Sequence, residues 1–327
     1  MVTSRLGIIP DRQRRTLTEL GERLDLSVGD RDAKRSAFWV MLTLSAVIAV
    51  AGVVGDSTAT VIGAMIVAPL STPILGVGLG ITTGNGRLIG HSMFYVLAGI
   101  ALVVVLGMVF AQVLPNPTNV LTNSQVTGRT SPTLMDLAAA LATGLVGAVA
   151  VARKDVGDVL PGVAIAISLV PPLAVVGVCL GSGAPSLAVG AFVLFASNVV
   201  AMVITATAVL VAAGYAREVG SATGAHRRRA YTVLALVLVA VAIPMVVNSL
   251  SSLWARQIST AAENWLAGTP GAEVTDVTWQ GGTATVAVLG PETLPPVDEL
   301  EKSVDALVPW NPDVQVVHTV GARLVAE

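Results

Sequence analysis

The sequence predicts an all-α polytopic membrane protein: seven transmembrane helices with a 3+3 inverted repeat and proline-broken helices, then a small C-terminal α+β domain. Three observations carry that expectation. The 327 residues are 54% hydrophobic and only 12% charged, with a mean hydropathy of +0.77; a soluble domain carries about twice that charged fraction. Apolar stretches of roughly 20 residues, enough to cross a bilayer, recur between Ala37 and Trp254. Within one of them, Asp56–Pro73, two prolines and two hydroxyls interrupt the run. A membrane tolerates such a break only where protein or water satisfies the freed backbone groups.

Composition also excludes classes. Net charge is -2, and no basic, aromatic-studded surface stands out, so no nucleic-acid partner is expected. Cys179 is the single cysteine, so no internal disulfide forms. Histidines at 91, 226 and 318 are scattered, so neither a metal cluster nor another cofactor is expected. The first apolar run follows 36 polar residues without a cleavage site, which reads as a retained span.

Residues 1–36 form a basic, cytoplasmic N-terminal segment with eight Arg or Lys. Leu17, Leu20, Leu24 and Leu26 fall loosely on one helix face. This is either an amphipathic helix on anionic lipid or a solvated tail that sets topology. The transmembrane domain, 37–254, holds spans near 37–54, 58–81, 89–114, 133–152, 159–181, 185–214 and 231–254. With the N-terminus in the cytoplasm, inner segments hold fifteen basic residues, and the short outer loops hold only Arg129. That asymmetry obeys the positive-inside rule and places a multi-pass protein in the plasma membrane. The run Ala225–Arg229 is a lipid-headgroup site or a plain topology anchor.

Residues 255–327 carry ten acids and three bases and are placed outside the cytoplasm. Residues 255–267 continue span seven as a helix; strands at Glu273–Trp279 and Thr283–Leu289 flank a Gly281-Gly282 turn. A helix over Pro295–Val308 and a strand at Val314–Thr319 complete an α+β module, expected to hold one antiparallel sheet. It is an assembly or sensing module, or a passive cap.

A shift of 99 residues carries Asp56 onto Asp155, Gly63 onto Gly162 and Ile66 onto Ile165. It also carries Leu70, Pro73, Val77 and Gly78 onto Leu169, Pro172, Val176 and Gly177. Pairing Gly55-Asp56 with Gly157-Asp158 instead breaks this register. Spans two and five run in opposite directions, so the halves 37–114 and 133–214 read as inverted copies, with 231–254 extra. Interrupted helices at matching places in inverted halves point to a transporter-type site at the midplane. The plainer reading is kinked helices at a packed, Gly-lined interface.

The stretches Asp56–Pro73, Arg129–Leu137 and Leu160–Gly177, with Phe195-Ala196-Ser197-Asn198 after them, closely resemble a bacterial and archaeal family of uncharacterised hydrophobic membrane proteins, a domain-of-unknown-function family. The resemblance covers about 37–215 and leaves out the C-terminal module. It implies an integral membrane protein and supplies no substrate or catalytic residue.

Candidate substrate- or ion-binding residues are Asp56, Ser57, Pro69, Ser71, Thr72, Pro73, Ser168, Pro171, Pro172 and Asn198. Asp56 before Ser57-Thr58 is an ionisable group at a span edge, or a helix cap. Ser71, Thr72 and Ser168 beside the breaks could ligate a cation or polar solute, or bond back to their own helices. Asn198 fits structural glue between helices. Arg129 is expected to pair with Asp136 or Asp56 on the outer side. Asp155 and Asp158 beside Arg153 and Lys154 read as a neutralised loop. Asp56 and Asp155 fall on opposite faces, too far apart to share a proton, so no enzyme is expected. The expected function is passage of a small ion or polar solute between broken spans two and five. The alternative is a non-transporting oligomeric scaffold or sensor whose C-terminal domain binds a partner. Expected partners are the lipid bilayer and further copies of the chain (a trimer is a guess).

Overall fold

A computed structural model describes residues 9–10, 12–113, 119–156, 169–219, 224–280, 283–308 and 312–321. It divides into two compact units, Met1–Met245 and Val246–Glu327.

In the first unit, α1 (Leu17–Leu24) begins at a capping box in which Thr16 and Glu19 satisfy each other's backbone N–H. Its apolar face is neither on lipid nor in water, as the two sequence readings had it. Leu20 and Leu24 are buried in the main core, and the Leu24 carbonyl lies against Gly76. Helix α2 (Arg31–Val54) is capped by Asp30 and ends at Gly55.

The expected second span is broken where Pro69 removes a donor. Helix α3 (Thr58–Val67) stops two residues before it, and α4 (Ser71–Thr83) restarts after a bend of 48°. Pro73 sits in the first turn of α4, where a missing N–H is tolerated. Gly84, at φ 70°, closes α4 in the left-handed conformation. Then come α5 (Gly86–Val113), α6 (Ser124–Thr130) capped by Asn123, and α7 (Leu134–Ala152). Helix α8 (Val170–Gly181) carries Pro171 and Pro172 in its first turn; α9 (Pro185–Ala212) and the single turn α10 (Tyr215–Glu218) follow. Helix α11 (Gly224–Leu266) runs on past the expected span end, with Pro244 inside it.

Five helices are long and apolar enough to cross a membrane, or six with α3 and α4 taken as one bent span. The chain is therefore read as a membrane protein. The seven spans expected are not reached among the described residues. Helix α8 has 12 residues, about 18 Å, too short to cross alone. The rest of the expected fifth span, with Ser168 and Asp158, lies outside them.

The core of this unit centres on two half-helices. Every residue from Pro73 to Thr82 of α4 and from Val170 to Cys179 of α8 is buried. Small residues allow the close crossings. A Cβ on Gly177 would lie 2.8 Å from the Gly107 Cα and 2.4 Å from the Val104 carbonyl oxygen, so α8 and α5 meet backbone to backbone. A Cβ on Gly78 would lie 2.7 Å from the Ala206 Cβ and 3.5 Å from the Val203 oxygen, where α4 crosses α9.

In the second unit, β1 (Glu273–Gln280) pairs antiparallel with β2 (Thr283–Gly290), and β2 pairs with β3 (Asp313–Val320), in the order β1-β2-β3. The β2–β3 pair is parallel, which corrects the all-antiparallel expectation. The reason is α12 (Val297–Asp305): a helix between two strands returns the chain to the same end of the sheet. Ala284, Val286 and Val288 alternate into a core with Leu300 and Val304 of α12 and Ile258, Ala262 and Leu266 of α11.

Candidate functional site

Three places bring the sequence candidates together, beginning at the α3–α4 break. The Pro69 nitrogen carries no hydrogen, so the Met65 carbonyl loses its i+4 partner. One residue earlier, the Ala64 carbonyl accepts the buried Ser45 hydroxyl at 2.8 Å. Leu70, fully buried, anchors the bend against α5 at Gly99. Ser71 and Thr72 follow half-buried, and their hydroxyls make no hydrogen bond to a described residue. They differ from Thr82, Thr205 and Thr207, whose hydroxyls all bond back to their own helices. A half-exposed pair of hydroxyls beside a carbonyl that has lost its i+4 donor can offer oxygen ligands.

The second place is the turn between α2 and α3. Asp56 takes φ 49°, a left-handed conformation that Asp tolerates better than most residues. The cap of α3 is Ser57, whose hydroxyl accepts the Thr60 N–H. Asp56 faces elsewhere: its Oδ1 accepts the Ser124 hydroxyl at 2.6 Å and the Gln125 N–H at 3.1 Å. Gln125 also donates to Thr58 Oγ1 at 2.8 Å, and Asn123 donates to the Val53 carbonyl at 2.8 Å. Helix α6 thus clasps the entrance of the bent span. The Ser124 hydroxyl, and then the backbone donors, hold the Asp56 carboxyl below its ordinary pKa.

Arg129 and Asp136 do not pair with each other among the described residues. Asp136 accepts the Thr133 N–H at 2.7 Å and the Thr133 hydroxyl at 2.8 Å, which starts α7. The Arg129 guanidinium donates to the Gln125 carbonyl at 2.8 Å and side-chain oxygen at 3.1 Å. It reaches Asp56 only through Gln125. Burial lowers the Arg129 pKa. Both residues spend their charge locally because each has a backbone partner within four positions.

The third place was not legible as a site. Residues before α1 strap the end of α7. The Arg15 N–H donates to the Ala152 carbonyl at 3.0 Å, and the Lys154 N–H to the Gln13 carbonyl at 2.8 Å. The Lys154 ammonium meets Glu19 at 2.9 Å and lowers the Glu19 pKa. Arg14 stacks 3.8 Å from the centre of the Tyr215 ring and pairs with Glu218. The Tyr215 hydroxyl donates to the Arg15 carbonyl at 2.6 Å, and burial pushes its pKa up to about 12. Asp155 pairs with Arg153 at 2.6 Å, a neighbour that lowers its pKa. The sequence signal for this strap was the capping box at Thr16 and Glu19, which marks an ordered helix where a tail was considered.

Of the remaining candidates, Pro171 and Pro172 are buried in the first turn of α8, and Asn198 is buried on α9. Among the described residues, no group of three or more His, Cys, Asp or Glu could hold a metal ion.

Comparison with known proteins covers the same core. Residues 65–204 match the family model for a domain of unknown function, DUF389. An uncharacterised protein of Methanocaldococcus jannaschii is 33% identical over 175 residues, 54% of this chain and 53% of that protein. The chain thus spans about half the length of this relative. No solved structure matches it. The matched stretch runs from α3 into α9 and includes Pro69, Pro73, Pro171 and Pro172. Over residues 65–204 this chain is thus similar to a domain of unknown function, DUF389, which is consistent with its resemblance to an uncharacterised family.

Proposed function

We propose that the protein passes a small ion or polar solute across the plasma membrane, at a site where the bent second span faces its counterpart in the second half. The observation that carries this reading is the α3–α4 bend, with a Met65 carbonyl deprived of its i+4 donor by Pro69 and the half-buried Ser71 and Thr72 hydroxyls beside it. In the proposed topology, seven spans place the N-terminus in the cytoplasm and residues 255–327 outside.

The inverted repeat gains support from helix crossings. The Gly78–Ala206 contact, shifted by 99 residues with its partners exchanged, becomes Gly177–Gly107. The same operation turns the Gly78–Val203 contact into Gly177–Val104, which is the neighbouring approach in the other crossing. Two contacts related in this way are what a two-fold between halves requires, and a chance sequence match does not. In this reading Ser168 is the counterpart of Pro69, and Pro171 and Pro172 those of Thr72 and Pro73. Further copies of the chain cover the apolar stretch of α11, of which 11% is buried against 28–56% in the other long spans.

The test is flux into proteoliposomes across a panel of monovalent and divalent ions and small polar metabolites. A substrate should enter faster than in protein-free vesicles, and Thr72→Val, which keeps the shape and deletes the hydroxyl, should slow it several-fold. Absence of flux across the panel overturns the reading in favour of a scaffold or sensor, which the buried stretches Pro73–Thr82 of α4 and Val170–Cys179 of α8 would also suit.

A further inference from the structure

We propose that α6 and the strap before α1 are a pair of opposed gates, each half of the chain closing over the turn that feeds the broken span of the other half. The inference rests on the transport reading and adds its moving parts. It starts from one carbonyl in each half. Val53 lies in the last turn of the first span of half one, and its carbonyl accepts the Asn123 side chain at 2.8 Å from the segment leading half two. Ala152 ends the first span of half two, 99 residues later, and its carbonyl accepts the Arg15 N–H at 3.0 Å from the segment leading half one. The same backbone position is thus held in both halves, each time by the other half. Beyond it, each clasp grips the next turn: Ser124 and Gln125 on Asp56, Gln13 and Glu19 on Lys154.

The clasps lie at opposite ends of α7. Helix α6 leads directly into its start at Thr133, and the strap bonds its last residues. Nineteen residues separate the two ends, about 28 Å. Their chemistry suits release, because they are built from hydrogen bonds and partly exposed ion pairs, each of modest net strength. The stretches Pro73–Thr82 of α4 and Val170–Cys179 of α8 are buried throughout, so close packing makes them stiff by comparison. The strap is also imperfectly satisfied when closed. Arg14 Nε and Nη2 are buried without a hydrogen-bond partner, and release returns both to water.

The prediction is reciprocity. Take the full chain with Cys179→Ala and Thr72→Cys, in right-side-out and inverted vesicles, and measure labelling by a membrane-impermeant maleimide. Asp56→Ala should speed labelling from the outer side and slow it from the inner side. Lys154→Glu, which sets two carboxylates against each other, should do the reverse. Each change should be about three- to tenfold, the scale of one or two hydrogen bonds of ordinary strength. Lys154→Arg keeps a cation for Glu19 and leaves the Thr16–Glu19 capping box intact, so it should hold both rates at the starting value, which separates a gating effect from misfolding. Unchanged rates in Asp56→Ala and Lys154→Glu, acceleration from one side without slowing from the other, or a Lys154→Arg that behaves like Lys154→Glu overturn the proposal. Flux with no reciprocity removes the gates and keeps the transporter; reciprocity without flux keeps a two-state switch and removes transport.

Discussion

Asp56 illustrates how a single carboxylate is reassigned by its surroundings. Read locally, it caps a helix; in the fold Ser57 does that, and Asp56 turns to Ser124 and Gln125 across 68 and 69 positions. The fold favours its charged form, so its contribution is present above the ordinary aspartate pKa, about 3.9. That contribution fades as pH falls through the lowered folded value. Thermal midpoints measured in detergent between about pH 3 and 6 should therefore fall on the acid side, and Asp56→Asn should flatten part of that slope. Gly177 is constrained by space alone. Gly177→Leu would drive a side chain into the Val104 carbonyl and the Gly107 backbone. The expected cost is about 1–3 kcal/mol or more from overpacking, read as a lower unfolding midpoint; Gly63, with no atom within 4 Å of a Cβ placed on it, should accept Ala with little change.

Among elements, the α3–α4 break was legible because proline acts through its own missing N–H, whatever surrounds it. Pro69→Ala restores the donor for the Met65 carbonyl. Amide exchange at residues 68–72 should slow by about tenfold or more if that bond forms, given the roughly 3 kcal/mol that Pro costs inside a helix. Unchanged exchange would mean that Leu70, buried against α5, holds the bend without the proline. The N-terminal helix was half legible. Its Leu spacing and capping box specify a helix, but the surface covering Leu20 and Leu24 comes from elements that follow it in the chain. The parallel β2–β3 pair was missed for a related reason: strand pattern gives the faces, and the crossover helix sets direction.

For the whole molecule, burial is concentrated at two places far apart in sequence. The most protected amides in hydrogen exchange should lie in residues 73–82 and 170–179, where every side chain is buried. The two units should respond separately. Leu300→Ala removes a fully buried side chain from the second core, at a cost of about 2–5 kcal/mol. It should accelerate exchange in residues 283–290 and leave 73–82 unchanged. The sequence by itself determined the membrane class and the proline break, because hydropathy and a missing N–H are properties of the chain. Only the tertiary structure decided which residues meet: Asp56 with α6, Lys154 with Glu19, Gly78 with Ala206, and Gly177 with Gly107. Those partners come from different helices, and hydrogen bonds and close backbone contacts depend on distances that residue order along the chain does not set.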